Sequence, residues 1–446
     1  MGNLTFNLDK YLTIVEETAD MEVSGLVSQV VGLIIESEGT GMQLGELCYI
    51  YPQGHSGPKI AAEVVGFKDK RVLLMPMGET HGIGPGSIVK PTGRTLHIRV
   101  GESLLGRVLD GLGQPIDGKG PLEGTTFYPL LNQPPHPLTR RRVLEPLPVG
   151  VKAIDGLLTC GKGQRLGIFA GSGVGKSTLL GMMARNTTAD VAVIALVGER
   201  GREVRDFLER DLGPKALEKS VLVVATSDQV PLIRLKAAFA ATAIAEYFRD
   251  QGHDVLFMMD SVTRFATAQR EIGLAVGEPP ATRGYPPSMF ALLPKLLERT
   301  GGGERGTITG LYTVLVEGDD FNEPVADTVR GILDGHIVLS RDLAAAGHYP
   351  AIDVLNSVSR VMPEIVSGEH VAAANRIRNI LSTYRDVEDL ITIGAYVPGN
   401  NPRVDNAVNH IELVREFLQQ PSMEKWDWDH TVERLEEIDE ILQRGA

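Results

Sequence analysis

The twelve residues FAGSGVGKSTLL, Phe169 to Leu180, leave the chain around them few ways to fold. An apolar run, Gln164 to Ala170, passes through Gly171, Gly173 and Gly175 into a helical stretch beginning near Lys176. Glycines at a strand-to-helix turn let several backbone N–H groups converge on one concavity. The helix N-terminus adds partial positive charge there, so such a turn selects a phosphate. Ala170, Gly171, Ser172, Gly173, Val174 and Gly175 form the wrapping loop, Lys176 can reach the β/γ-phosphates, Ser177 can ligand Mg²⁺, and Thr178 follows on the helix. The usual pattern begins with glycine, and a methyl group at Ala170, the end of the strand, is compatible with it.

The rest of the chain supplies a setting for that loop. At 446 residues it exceeds one ordinary core, so two or three domains are expected. From Met21 to about Gly93, short β-rich runs punctuated by glycine predict a small β-barrel or sandwich. Residues 121–148 hold seven prolines and the cluster TRRR, Thr139 to Arg142, and read as an extended connector. The apolar runs RLGIFA, VAVIALVG, VLVVAT, VLFMMD and ITGLYTVLV then alternate with helical stretches, which implies a parallel sheet covered on both faces. After Pro363 the apolar period is helical: Val371, Ala374, Ile377, Leu381, Tyr384 and Val387, then Val404, Val408, Ile411 and Phe417, then Val432, Leu435, Ile438 and Leu442. Near the N-terminus, Leu8, Tyr11, Leu12 and Val15 line one face of a short helix with Asn7 as N-cap. It is marginal alone and wants a partner surface, on another protein or on the chain's own barrel.

Composition narrows the partners. A net charge of −13 argues against a nucleic-acid groove as the main binding surface. Cys48 and Cys160 stand far apart, so no zinc spacing or disulfide framework exists, which suits a reducing cytosol. The first residues lack a basic segment and a long apolar core, and no stretch reaches the about 18 apolar residues of a membrane span, so a soluble, unexported chain is expected.

In an open parallel sheet the site lies at the C-terminal ends of the strands. The strand VAVIALVG runs into Glu199 and Arg200, and VLFMM into Asp260, followed by Arg264. A carboxylate placed as Asp260 is can hold Mg²⁺ through water. Glu199 is then available to accept or orient the proton of an attacking water, the plainer alternative being a surface salt bridge to Arg200 or Arg202. Phosphoryl transfer also needs positive charge on the γ-phosphate, often an arginine from a neighbour, and spacing alone does not select which.

The stretches GSGVGKSTLL, VGERGREVRDF, LFMMDSVTRFA, AGHYPAIDVLNSVSR and FLQQP, in that order, resemble the hexameric ATPase family that includes the rotary ATP synthase subunits and the ATPases of type III protein export. The resemblance runs from about Met21 to the final helices. It implies an α/β fold in three parts: a β-barrel at 21–95, a RecA-like P-loop ATPase domain with a mostly parallel sheet at 96–360 that includes the Pro-rich connector 121–150, and a helical domain at 361–446. Residues 1–20 precede them as a partner-binding helix. GEPPATRGYPPSMFALLPKLLERTG, Gly277 to Gly301, and VGVKAIDGLLTCGKGQRLGIFAGSGVGKST look like the flagellum-specific export branch, with Ser172, Val174 and Thr282 favouring it over the injectisome branch.

The same resemblance assigns roles. Glu199 matches the catalytic carboxylate of the hydrolysing subunits, with Lys176 and Arg200 beside it. Arg360, in SVSR, matches an arginine that reaches a neighbouring subunit's γ-phosphate. Tyr349 matches an aromatic residue that packs on adenine, and Phe417 is expected to line that pocket, whereas Ser422 stands where the ATP synthase catalytic subunit has a second aromatic. The implied protein is a cytoplasmic, Mg²⁺-dependent ATPase, peripherally bound to the cytoplasmic face of a membrane export apparatus and acting as a homohexamer in flagellar export. Its implied partners are a stator-like regulator on the N-terminal helix, a coiled-coil stalk in the ring, and the export gate, chaperones and export substrates. The alternatives are an injectisome ATPase, an ATP synthase catalytic subunit, which lacks the GEPPATRGYPP loop, and an RNA translocase. The last would need stacking aromatics and basic residues that 21–93 lack in quantity. A purely structural nucleotide-binding module is disfavoured by Glu199 and Arg360.

Overall fold

The computed structural model describes residues 24–39, 41–53, 58–316, 318 and 320–444. The N-terminal helix expected at Leu8 to Val15 lies outside them. Two compact units divide between Leu96 and His97.

The first unit is a closed barrel, which decides between the barrel and sandwich alternatives. Its strands are β1 (Gly25–Val31), β2 (Ile34–Glu38), β3 (Glu46–Tyr51), β4 (Ile60–Lys68), β5 (Arg71–Pro76) and β6 (Ile88–Thr95), closed in the order β1-β2-β5-β4-β3-β6. Burial alternates residue by residue along β3, as expected of a strand with one face inward. The inward side chains Val27, Ile35, Cys48, Ile50, Val64, Leu74 and Val89 fill the core.

The second unit begins with an antiparallel ribbon of β7 (His97–Val100) and β9 (Thr126–Pro129) flanking β8 (Arg107–Asp110) in the chain. The proline-rich segment is therefore not wholly an extended connector, because it contributes β9. Its basic cluster is pinned down: Arg140 donates to the carbonyls of Thr300, at 3.1 Å, and Glu298, at 2.5 Å.

The main sheet is built from β8, β10 (Arg165–Ala170), β11 (Val191–Glu199), β12 (Ser220–Thr226), β13 (Asp254–Asp260), β14 (Gly301–Gly302), β15 (Thr307–Leu315), β16 (Gly335–Leu339) and β17 (Ile352–Ser359). The order across it is β17-β16-β10-β15-β13-β11-β12-β8, with β14 paired on β15. Only β14 and the edge strand β17 run antiparallel. The parallel strands are apolar on both faces because helices cover both, as the continuous runs predict. Helix α1 (Lys176–Asn186) follows β10, α2 (Pro231–Gln251) follows β12 and α3 (Val262–Val276) follows β13. Six alanines along α2 let it be buried on nearly every side. Pro231 starts it and Gly252, in the left-handed conformation, ends it.

Three long helices complete the unit: α4 (Gly368–Thr392), α5 (Pro402–Leu418) and α6 (Trp428–Arg444). Ser367 caps α4 and Asn401 caps α5 by accepting backbone N–H bonds. Their apolar stripes, including Ala374, Ile377, Phe417, Leu435, Ile438 and Leu442, belong to the same continuous core as Leu166 and Ile168 of β10. An Arg376–Asp439 ion pair ties α4 to α6.

Candidate active site

Strand β10 ends at Ala170, which is buried, and the chain turns through Gly171 to Gly175 into α1. Gly173 and Gly175 have φ of 80° and 89°, the left-handed region where a side chain is strained. Val174 between them is 3% exposed and anchors the loop in the core, while Ser172 and Gly173 face outward. Among the described residues no side chain caps α1, which leaves its first N–H groups open to a ligand.

Parallel register carries three charged groups to the same end of the sheet. Lys176 Nζ donates to Asp260 Oδ1 at 2.5 Å and lies 3.7 Å from Glu199 Oε1. Asp260 also accepts a 2.7 Å hydrogen bond from Thr313 on β15. Burial pulls the Lys176 ammonium down, but Asp260 and Glu199 together outweigh it and hold its pKa above the ordinary lysine value. Burial pushes Glu199 up to about 7, the Asp260 charge adds to this, and Lys176 opposes it. Glu199 Oε1 is buried and accepts no hydrogen bond. Gly198, φ 74°, lets the stem of Arg264 pass directly over the backbone before Glu199.

Beside the loop lies a cavity of about 440 Å³ lined by Gly175, Thr178, Met182, Tyr349, Gln420 and Ser422, among others. Tyr349 is 47% exposed, and its ring stands so close to Gly175 that a Cβ there would lie 3.5 Å from it. Gln420 is 2% exposed and fixes this wall. Its N–H donates to the Tyr349 carbonyl at 2.9 Å, its Oε1 accepts from the Lys152 N–H and its Nε2 donates to the Gly150 carbonyl. Phe417 does not join the lining. It is 3% exposed, and a Cβ on Gly156 would meet its ring at 3.1 Å, which makes it core beneath the pocket, in keeping with its place in the apolar stripe of α5.

Two arginines stand apart from this cluster. The Arg200 side chain is 80% exposed and faces Glu203 at 4.0 Å. Arg360 is exposed at the far end of the sheet. Leu339 of β16 pairs with Ala170, but Ser359 pairs with Gly335, so Arg360 leaves β17 about 13 Å of strand from the phosphate loop of its own chain. Sequence reasoning did not find Gln420, Thr313 or Glu203. Only Thr313 left a signal, as a hydroxyl inside the apolar run ITGLYTVLV.

Residues 27–93 match the ATP synthase alpha/beta family, beta-barrel domain, and residues 150–359 match its nucleotide-binding domain. Residues 366–437 match the T3SS EscN ATPase C-terminal domain. The flagellum-specific ATP synthase of Bacillus subtilis (strain 168) is 58% identical over 406 residues, 91% of this chain and 93% of that protein. The chain belongs to the flagellar and type III secretion ATPases of the ATP synthase alpha/beta family. Another member of that family, the type 3 secretion system ATPase of Xanthomonas euvesicatoria, is 51% identical over 96% of this chain and 97% of its own. Among solved members, the assembled ATPase EscN of the enteropathogenic E. coli type III secretion system superposes with a TM-score of 0.88 at 47% identity, over 93% of this chain and all of that one. EscN in complex with its central stalk EscO superposes at 0.86 with 46% identity and the same coverage.

Proposed function

We propose that the chain hydrolyses ATP with Mg²⁺ in a ring of identical subunits, and that turnover energises or primes type III export of flagellar proteins. The observation that carries the chemistry is Glu199: a carboxyl at a strand end, with one buried oxygen that accepts no hydrogen bond, 3.7 Å from the phosphate-loop lysine. A carboxyl with its pKa raised to about 7 is suited to taking a proton near neutral pH.

In this reading the loop N–H groups and Lys176 hold the β- and γ-phosphates, and Tyr349 packs on the adenine in the cavity walled by Gln420 to Ser422. Glu199 orients the attacking water and accepts its proton. The oxygen donors available for Mg²⁺ are the Ser177 hydroxyl at the first turn of α1 and, through water, Asp260, held in place by Thr313. These hard donors fit a cation that keeps most of its shell as water and phosphate oxygen. When bound, Mg²⁺ neutralises charge on the β- and γ-oxygens. Arg360 follows β17 at the end away from its own loop, and in this reading it serves the next subunit's γ-phosphate, which makes activity a property of the ring. Arg200, exposed in the single chain, lies on the strand-end turn beside Glu199 and is proposed to face the phosphate when subunits meet.

The flagellar assignment rests on the 58% identity to a flagellum-specific relative, and the stalk partner on EscN and EscO. The regulator at the N-terminal helix, the export gate, chaperones and substrates follow from the same reading, as does a cytoplasmic position against the export apparatus. Among the described residues no helix is long and apolar enough to cross a membrane. Deleting the gene in its native cell tests the assignment. Loss of motility and of filament subunits outside the cell, restored by the intact gene and not by Glu199→Gln, is expected. Normal motility with loss of effector secretion would instead favour the injectisome reading.

A further inference from the structure

Glycine at position 171 has a different cause from its neighbours. Gly173 and Gly175 need left-handed backbone, whereas Gly171 does not lie in that region. What a side chain there would have to displace is Arg341: a Cβ on Gly171 would lie 2.5 Å from its Nε, 2.7 Å from Nη2 and 3.0 Å from Cζ, while one on Gly173 would meet nothing within 4 Å. The position of Arg341 follows from the sheet. Ala170 pairs with Leu339, so the residues just past the two strand ends are neighbours. Ser340 then caps the short helix that Arg341 opens, accepting from the Asp342 and Leu343 N–H groups. Its own N–H donates to the Ala351 carbonyl at 2.8 Å, so the residue before Arg341 is held at both ends.

The phosphate loop is thus flanked by cations on two sides, Lys176 towards β13 and β11, and Arg341 from β16. We propose that Arg341 is a positioning residue for the phosphate chain of the nucleotide: its guanidinium lies on the backbone at Gly171, fixes the first turn of the loop so that its N–H groups point into the concavity, and adds standing positive charge at the loop's mouth. The proposal rests on the ATPase reading of the site and deepens it. It gives a reason for the first glycine of the loop that turn geometry does not supply.

The test is a mutant cycle of Arg341→Ala, Gly171→Ala and the double variant, with Arg341→Lys as the conservative control. Equilibrium affinities for AMP, ADP and the β,γ-imido analogue of ATP are measured beside melting temperature, kcat and KM. Loss of one charge-assisted contact predicts a drop of about tenfold for ADP and the imido analogue in Arg341→Ala and less than about twofold for AMP, with Arg341→Lys in between. The methyl group of Gly171→Ala displaces the guanidinium and should reproduce that pattern, and the double variant should be no worse than either single. Millimolar free guanidinium should restore part of the lost affinity of Arg341→Ala, because the site is open to solvent. Additive losses in the double variant, or equal losses for all three nucleotides, would overturn the role of Arg341, as would variants that bind like wild type. A wild-type protein that binds no adenine nucleotide would instead defeat the ATPase reading beneath it.

Discussion

Lys176 Nζ donates to Asp260 Oδ1 although 84 residues separate the two in the chain. The pair forms because β10 and β13 end at the same edge of the sheet, with Thr313 of β15 between them holding the carboxylate. Removing the ammonium leaves the buried Asp260 and the partly buried Glu199 with no nearby cation on the loop. Lys176→Ala is therefore expected to lose ATP binding along with turnover, measured by equilibrium binding of a fluorescent ATP analogue and by phosphate release. Near-normal activity would contradict the loop's role.

Glu199→Gln should separate binding from chemistry. The amide keeps the shape and cannot accept a proton, so turnover should fall by about 10²–10⁴-fold while ATP is still held. Equal loss of binding in Glu199→Gln and Lys176→Ala would make Glu199 structural.

The raised pKa of Glu199 carries a stability prediction. Its folded value, about 7, lies above the 4.5 of a free glutamate. Between those values the folded state holds more protons than the unfolded one, so the group's contribution worsens as pH rises through the window and is fully unfavourable above about 7. The groups facing it are Asp260, Lys176 and Glu203. Glu199→Gln removes the penalty. Its melting temperature should exceed that of wild type at pH 8, and the gap should narrow towards pH 5. A gap that is constant or reversed across that range would contradict the assignment.

Arg360 predicts behaviour of the assembly. Specific activity should rise with protein concentration before levelling off, and Arg360→Ala should bind ATP yet turn over about 10³-fold more slowly. Mixing Arg360→Ala with Glu199→Gln creates interfaces that pair an intact Glu199 with an intact Arg360, so two inactive proteins should regain part of the activity. No rescue despite subunit exchange, confirmed by labelling, would place Arg360 outside the neighbour's site. Mixing each variant with wild type sets how many inactive subunits a ring tolerates.

Tyr349 and Phe417 should part company. Tyr349→Ala, at a half-exposed pocket wall, is expected to raise KM for ATP with little change in melting temperature. Phe417→Ala removes a fully packed ring and should cost about 3–5 kcal/mol in chemical denaturation. The reverse pattern would return Phe417 to the nucleotide.

What could be read in advance follows the range of the forces. Gly173, Gly175, Lys176 and Ser177 act through local backbone geometry, and their spacing announces it. Glu199 and Asp260 were visible because a parallel sheet puts polar strand ends together. Arg341 and Gln420 were not, since their contacts depend on which strand lies beside β10 and on how the chain after α5 returns to Tyr349. The helical period of α5 already placed Phe417 among core residues, and the neighbouring FLQQP motif pulled the assignment the other way. Strand β9 escaped notice because four residues ending in proline, inside a proline-rich stretch, carry too little pattern.

Strand β17 begins just past Tyr349 and ends just before Arg360. Its two ends pair with Leu339 and Gly335 of β16, about 13 Å of strand apart, with a bulge between Asp353 and Val358. On the proposed roles, that short strand joins the place where a subunit grips its own base to the charge it lends next door, as a crank joins two combustion chambers. A movement that seats Tyr349 would then be passed along the strand to Arg360, which would couple one site to the next without a separate messenger.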